Sequence, residues 1–170
     1  MRLYSGKVAT IASEIVKALL DASDIETEKP REVHADIEAV LNQYLKTDKE
    51  AGDKAKDAMQ ARGIANSEFG RMKKLAAEQM GIKIGDDTID YLLDQILEIL
   101  MHSANVDEIF SEDVELRRKM APILKRHMAV DEELEREVRG KLKHVEEGTR
   151  TWEVEYARIM EDIRRRKGLG

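Results

Sequence analysis

Cysteine is absent from this 170-residue sequence, proline occurs only twice, and aromatic residues make up 4% of the chain. Without cysteine there is no disulfide framework, no thiolate nucleophile and no thiolate metal site. No stretch approaches the roughly 18 uncharged apolar residues that a membrane-spanning helix requires, and the first residues form no apolar run typical of a secretory signal. We therefore expect a soluble cytoplasmic protein.

The residues that are present are mostly good helix formers. Ala, Leu, Glu, Lys, Arg and Met dominate, and charged residues make up 38% of the chain, which favours an all-α fold. The net charge of −6 argues against bulk attraction to nucleic acid or anionic lipid. The charge is uneven, because residues 86–115 carry ten acidic and no basic residues, whereas basic residues cluster at 117–119 and 164–167.

An apolar pattern occurs twice along the chain. The apolar positions of residues 8–25 recur 81 positions later, so that Ile11 matches Leu92, and those of residues 33–45 recur 83 positions later, so that Ile37 matches Met120. Any two amphipathic helices can be aligned by their 3.6-residue period, which leaves chance agreement as the alternative. Because two consecutive helices match, together with the loop between them, we interpret the pattern as an internal duplication.

Capping residues, proline and glycine mark where the helices of the first copy begin and end. These signals predict a helix over 6–21 capped by Ser5, a helix over 30–46 that Thr27 and Pro30 introduce, a helix carrying Ala51, Ala55 and Met59 that ends at Gly63, and a helix capped by Asn66 or Ser67 that carries Phe69.

The second copy is predicted to follow the same order. It has a helix over 87–102 capped by Asp86, a helix over 111–129 kinked at Pro122, and further helix from residue 131 onward. From Leu134 the apolar spacing alone fits one long helix. Gly148 instead indicates a break and a helical hairpin, which we favour because Gly63 breaks the first copy in the same way.

Together these elements predict an all-α, internally duplicated protein. Residues 1–81 form the first repeat, with bundle helices over 6–46 and an arm over 47–80. Residues 82–170 form the second, with bundle helices over 87–129 and an arm over 131–167. The two apolar helix pairs are expected to pack as an antiparallel four-helix bundle around a pseudo-twofold axis, from which the two hairpin arms project.

Five short strings resemble a bacterial family known as domain of unknown function 507. They are MRLYSGKV at residues 1–8, SEFGR at 67–71, LMHS at 100–103, APILK at 121–125 and EEGTR at 146–150. The resemblance covers essentially the full chain. It implies a helical fold with internal pseudosymmetry and no established activity, and it assigns no catalytic or binding residue.

One row of side chains resembles a metal site. Asp90, Asp94, Glu98 and His102 follow one another at four-residue spacing, which places them on one helical face, and such groups can bind divalent metals. A metal site in a helical bundle more typically uses Glu-x-x-His pairs on facing helices, and this sequence contains no such pair. We interpret the row as a solvated face and keep a metal-binding protein as an alternative function.

No other pattern indicates enzymatic chemistry. The sequence has no phosphate-binding glycine loop, no dinucleotide-binding loop and no serine hydrolase motif. The four histidines, His34, His102, His127 and His144, are predicted on four different helices. His127 and Asp131 are four residues apart, and without a nucleophile nearby we interpret them as a surface or capping pair. We expect no catalytic residue, no cofactor and no small-molecule substrate.

A binding function remains, and a protein is the partner that the composition favours. Trp152 and Phe69 are expected near the tips of the two arms and would anchor the partner, while Arg150 and Arg71 would orient it. The alternative for Trp152 is that it closes its hairpin against Leu142 or Val145. Nucleic acid is the alternative partner, contacted by basic clusters such as residues 164–167, although the scarcity of aromatics for base stacking weighs against it.

Overall fold

The computed structural model describes residues 2–169, apart from the side chain of Asp131. Helices dominate this range, which confirms the all-α class. In chain order the elements are α1 (Val8–Asp21), β1 (Ile25–Glu26), α2 (Pro30–Arg62), α3 (Phe69–Gln79), α4 (Thr88–His102), β2 (Glu108–Ile109), α5 (Asp113–Met128), α6 (Val130–Lys141) and α7 (Arg150–Arg166).

The first hydrophobic core lies between four helices. α1 packs against α2 and α5, and α4 packs against the same two helices. Ile11, Ile37, Leu92 and Met120, which belong to the repeated apolar pattern, are fully buried there. β1 and β2 pair antiparallel above this core, with Ile25 opposite Ile109 and Glu26 opposite Glu108.

α2 corrects the prediction that one helix ends at residue 46 and another follows. The helix is continuous from Pro30 to Arg62, because the segment after residue 46 contains neither glycine nor proline until Gly52. Its buried face also continues without interruption through Tyr44, Ala51 and Ala55. The predicted end is confirmed, since Gly63 closes the helix in the left-handed conformation with a φ of 63°.

The predicted capping roles of Ser5 and Asp86 are wrong. Each residue lies instead in a short 3₁₀ turn, Ser5–Lys7 or Gly85–Asp87, and the α-helices that follow begin without a side-chain cap. The Ser5 hydroxyl donates to the carbonyl oxygen of Leu169 at 3.4 Å. It is therefore engaged by the other end of the chain rather than by its own helix.

A third 3₁₀ turn replaces the cap predicted before α3. Asn66–Glu68 form this turn, and α3 begins at Phe69 without a side-chain cap from Asn66 or Ser67. A 3₁₀ turn satisfies the first backbone donors through i to i+3 bonds, so the helix start needs no side-chain acceptor.

The C-terminal third confirms the hairpin and excludes the single long helix. α6 ends at Lys141 and α7 begins at Arg150, with Gly148 at a φ of 87° between them. Thr149 caps α7, and its hydroxyl accepts from the backbone nitrogen of Trp152 at 3.2 Å. α5 continues through Pro122 to Met128, and a kink at this proline stays a prediction.

A second hydrophobic core joins this hairpin to the start of the chain. Leu134, Val138, Met160 and Ile163 pack together with Tyr4. The backbone nitrogen of Gly6 donates to the carbonyl oxygen of Leu169 at 2.8 Å. The α6–α7 hairpin is thus tied to the N-terminal segment. Within residues 2–169, every helix is too short or too polar to cross a lipid bilayer.

Candidate interaction surfaces

The tip of the α2–α3 hairpin carries an open depression that contains one of the predicted anchor residues. Phe69 begins α3 and is half-buried, and the ammonium nitrogen of Lys56 lies 5.8 Å from its ring centroid. Apolar surface predominates in the depression, whose lining residues are Lys56, Met59, Gln60, Gly63, Ile64, Asn66 and Phe69. An aromatic ring that keeps one side in such a depression can contact an apolar side chain from outside.

Arg71 lies two residues beyond Phe69 with an exposed side chain. Its Nε donates to Glu68 Oε2 at 2.6 Å, an exposed pair within one turn of α3 that contributes little to stability. Lys73 on the same helix pairs with Asp48 of α2 at 2.9 Å, and both side chains are half-buried. The structure therefore brings Phe69 and Arg71 together at one hairpin tip and holds α3 against α2 just behind them.

Trp152, the predicted anchor of the other hairpin, is engaged within its own arm. Its ring stacks on Tyr156 with centroids 4.9 Å apart, and the guanidinium carbon of Arg139 lies 5.6 Å from the Trp152 ring centroid. Trp152 and Val145 are both half-buried against the second core. These contacts favour the alternative in which Trp152 closes the hairpin.

Arg139 organises the charged side of the same hairpin. It donates to Glu135 at 2.8 Å and to Glu147 at 2.9 Å, while the Tyr156 hydroxyl also donates to Glu135. The hydrogen bond from Tyr156 lowers the pKa of Glu135, and the contribution of Arg139 adds to this against the opposing effect of burial. Arg150 lies in the first turn of α7 with an exposed side chain, apart from this network.

The acidic row on α4 faces solvent. The side chains of Asp90, Asp94, Glu98 and His102 are all exposed, and Asp94 forms an ion pair with Arg117 of α5. Among the described side chains, which exclude that of Asp131, no three His, Cys, Asp or Glu residues are arranged to hold a metal ion. The row behaves as the solvated face that the sequence indicates.

His127 contacts α1. Its Nε2 lies 2.9 Å from Glu14 Oε2, and Arg126 forms an ion pair with the same carboxylate. The hydrogen bond with His127 is the main cause that lowers the pKa of Glu14, with a further contribution from Arg126 and an opposing one from burial. The predicted pairing of His127 with Asp131 involves a side chain outside the described residues.

Carboxylates pair with three of the basic residues on or next to α7. Arg158 pairs with Glu155 at 2.7 Å, Arg165 pairs with Asp162, and Lys167 pairs with Glu137 at 3.2 Å. A surface in which cations alternate with carboxylates presents little net attraction to a phosphate backbone.

A groove between α2 and α4 was missed by the sequence analysis. Tyr44 and Tyr91 form one end, with ring centroids 5.9 Å apart, and Asp36 lies at the other end. The groove has a volume of about 290 Å³ and is lined by Asp36, Ala39, Val40, Gln43, Tyr44, Thr47, Ile82, Tyr91, Gln95 and Ile99. Tyr44 and Tyr91 are the sequence signal that could have revealed the groove, because tyrosine is rare in this chain and both lie in otherwise aliphatic stripes.

A buried carboxylate, that of Asp24, was also missed. Only 2% of Asp24 is exposed, and its two oxygens accept from the Ser111 hydroxyl and the Lys119 ammonium. Burial alone would raise the pKa of Asp24, but the hydrogen bonds from Lys119 and Ser111 outweigh it and leave the pKa below its ordinary value. This cluster ties the α1–β1 connection to β2 and α5, which is a structural role.

These features define an all-α protein whose described helices pack around two hydrophobic cores. The chain belongs to the family described as Protein of unknown function (DUF507), whose model matches residues 1–169. This confirms the resemblance seen in the sequence. No curated protein matches the chain.

Proposed function

We propose that this chain is a non-enzymatic helical interaction protein that binds another protein through its hairpin arms. The observation that carries the proposal is the largely apolar depression at the tip of the α2–α3 hairpin, which contains Phe69. Apolar pockets with an aromatic residue at their edge are typical of the central contacts in protein interfaces. The proposal retains the cytoplasmic location and bacterial origin that the sequence analysis expects.

The length of α2 supports a projecting arm. At 33 residues the helix is about 50 Å long, and Ala51 is its last residue in the first core. The three turns that follow pack against α3 and carry the depression beyond that core. A surface raised in this way on a continuous helix is accessible to a large partner and is held rigidly.

We further propose that the fold is internally duplicated, with a pseudo-twofold axis through a four-helix bundle. The order of elements supports this, since α1, β1, α2 and α3 are followed by α4, β2, the α5–α6 run and α7. The helix contacts support it as well, because exchanging the two halves of the chain turns the contact between α1 and α5 into the contact between α4 and α2.

Two polar contacts add to the support for duplication. Asn105 lies 81 positions after Asp24, and Lys119 lies 83 positions after Asp36. Asp24 pairs with Lys119, and Asn105 donates to Asp36 at 3.0 Å. Corresponding positions therefore meet in both directions, as a twofold relation requires. Superposition of residues 8–59 on 89–142 in an experimental structure tests this, and a failure to superimpose would contradict it.

Cross-linking in cells, followed by identification of both proteins and RNA, tests the function. We expect a protein to be recovered and to be lost with Phe69→Ala. Leu75→Ala is the matched control, because Leu75 lies on the same helix and is also exposed, at 45%. Recovery mainly of RNA, lost when residues 164–167 are replaced by Ala and weakened steeply by salt, would instead establish the nucleic-acid alternative.

A further inference from the structure

The groove between α2 and α4 contains polar groups that the protein itself leaves unused. The Tyr91 hydroxyl and the Gln95 carboxamide have no hydrogen-bond partner among residues 2–169. Asp36 Oδ2 accepts from Ser103 at 2.5 Å and from Asn105 at 3.0 Å, while its second oxygen, Oδ1, has no partner within the same range. The Asp36 carboxylate is thus held in place with one oxygen available.

The corresponding interface between α1 and α5 is filled by the protein's own side chains. Glu14 lies 81 positions before Gln95, and Arg126 and His127 lie 83 positions after Gln43 and Tyr44. There Glu14 contacts both Arg126 and His127. At the α2–α4 interface the same positions carry neutral side chains that leave an opening. The contrast indicates that the opening is specific to one half of the molecule.

The lining determines which ligand chemistry would suit the groove. It contains one carboxylate and no lysine or arginine, so an anion would find no counter-charge. Ala39, Val40, Ile82 and Ile99 provide an apolar floor. The volume of about 290 Å³ is at the lower limit of ligand sites, which suits a narrow molecule.

We propose that the groove between α2 and α4 binds a linear aliphatic amine with more than one ammonium group. One ammonium group donates to Asp36, and the methylene chain lies on the apolar floor. A second ammonium group lies against the ring of Tyr91 through a cation–π contact, with the carbonyl oxygen of Gln95 as an additional acceptor. Residues 36 and 44 of α2 are separated by about 12 Å along the helix axis, a span that an extended triamine reaches.

Isothermal titration calorimetry with spermidine as the probe tests this proposal. We expect saturable one-to-one binding that Asp36→Asn weakens by about tenfold or more, because a charge-assisted hydrogen bond is lost. Gln95→Ala, on the facing helix, should weaken binding by a smaller factor, and it keeps the test valid if Asp36→Asn unfolds the chain. Circular dichroism spectra of both variants show whether the helices survive.

Asp90→Asn is the matched control, since Asp90 is an exposed carboxylate on α4 outside the groove. Its affinity for spermidine should stay within about twofold of the parent chain. The proposal is overturned if spermidine shows no saturable binding. It is also overturned if Asp36→Asn and Asp90→Asn weaken spermidine binding equally, or if Mg²⁺ displaces spermidine to the extent that its charge alone predicts. The last two outcomes would identify non-specific counter-ion attraction. None of these outcomes depends on a protein partner at the hairpin tip.

Discussion

Gly6 packs directly against the backbone of Gly168, so closely that a Cβ atom at position 6 would overlap the Gly168 carbonyl group. The two residues belong to opposite ends of the described chain. Together with the hydrogen bond from Gly6 to Leu169 and the burial of Tyr4 in the second core, this contact fastens the α6–α7 hairpin. The second arm is therefore held at both of its ends, by α5 and by the N-terminal segment.

Replacement of Gly6 by alanine is the first prediction. The methyl group would meet backbone atoms, which cannot move aside as a flexible side chain can, so we expect a loss of about 1–3 kcal/mol in the free energy of unfolding. Urea denaturation measures this loss. Hydrogen exchange should also become faster in α7, since the displaced segment no longer supports the hairpin.

Gly70→Ala is the control for this substitution. Gly70 lies inside α3, and a Cβ atom there meets no other atom within 4 Å. The change should stabilise the chain by up to about 1 kcal/mol through helix propensity. Equal stability of Gly6→Ala and the parent chain would show that the termini do not meet as described.

The buried carboxylate of Asp24 gives a prediction about acid. Because its pKa is lower in the folded chain than its ordinary value of 3.8, its contribution to stability is present above that value and lost as the pH falls through the folded-state pKa. Asp24→Asn should cost about 1–3 kcal/mol at neutral pH, since Lys119 and Ser111 lose a charged acceptor. The variant should also be less sensitive to pH below about 4.

Asp21→Asn separates this effect from a general loss of charge. Asp21 is exposed and pairs with the exposed Lys17 at 2.6 Å, so its replacement should change stability by less than about 0.5 kcal/mol. Thermal unfolding from pH 7 to pH 3 compares the two variants with the parent chain. Parallel pH profiles for all three proteins would contradict the role given to Asp24.

Tyr44 provides a prediction in the alkaline range. Its hydroxyl donates to the Lys83 carbonyl oxygen at 3.1 Å and lies 3.2 Å from the Thr88 hydroxyl, and burial raises the pKa of Tyr44 to about 12. Its contribution to stability is therefore complete below the ordinary value of 10.0 and lost as the pH rises toward 12. Absorbance titration should show a tyrosine that ionises near pH 12, and this step should be absent from Tyr44→Phe.

A pair of phenylalanine substitutions tests the same hydroxyl at neutral pH. Tyr44→Phe should cost about 1–2 kcal/mol, because the buried Thr88 hydroxyl loses its partner. Tyr91→Phe is the matched control on the facing helix, since the Tyr91 hydroxyl has no partner within residues 2–169. If both variants lost the same stability, the hydrogen bonds of Tyr44 would not be the cause.

The local elements of this fold follow from short-range signals. Ile11 and Leu92 are buried positions of helical apolar stripes, and Gly63 ends α2 with a positive φ. Gly148 lies in the loop before α7, also with a positive φ. The predicted break after residue 46 had no such signal. Beyond residue 46 the buried side chains of α2 are mostly small, because the packing partner of the helix changes from the first core to α3.

The contacts that distinguish the candidate sites are long-range, and local patterns contain no trace of them. Glutamine is common at solvent-exposed helix positions, so Gln43 and Gln95 do not stand out in the sequence. Only the packing of α2 on α4 places them beside one groove. Gly6 likewise looks like an ordinary turn residue in the sequence, which does not reveal its contact with Gly168. Phe69 lies close to Gly63 because only a short turn separates the end of α2 from the start of α3.

Trp152 supplies the last prediction. Because its ring is sandwiched with Tyr156 and Arg139, Trp152→Ala should destabilise the α6–α7 hairpin by about 2–4 kcal/mol. Phe69→Ala should cost less, since Phe69 borders an open depression. Hydrogen exchange resolved by segment measures both effects, with protection lost in α6 and α7 only for Trp152→Ala. If Trp152→Ala left that protection unchanged yet abolished binding of the protein partner, Trp152 would be an interface anchor and the second arm would share the role assigned to the first.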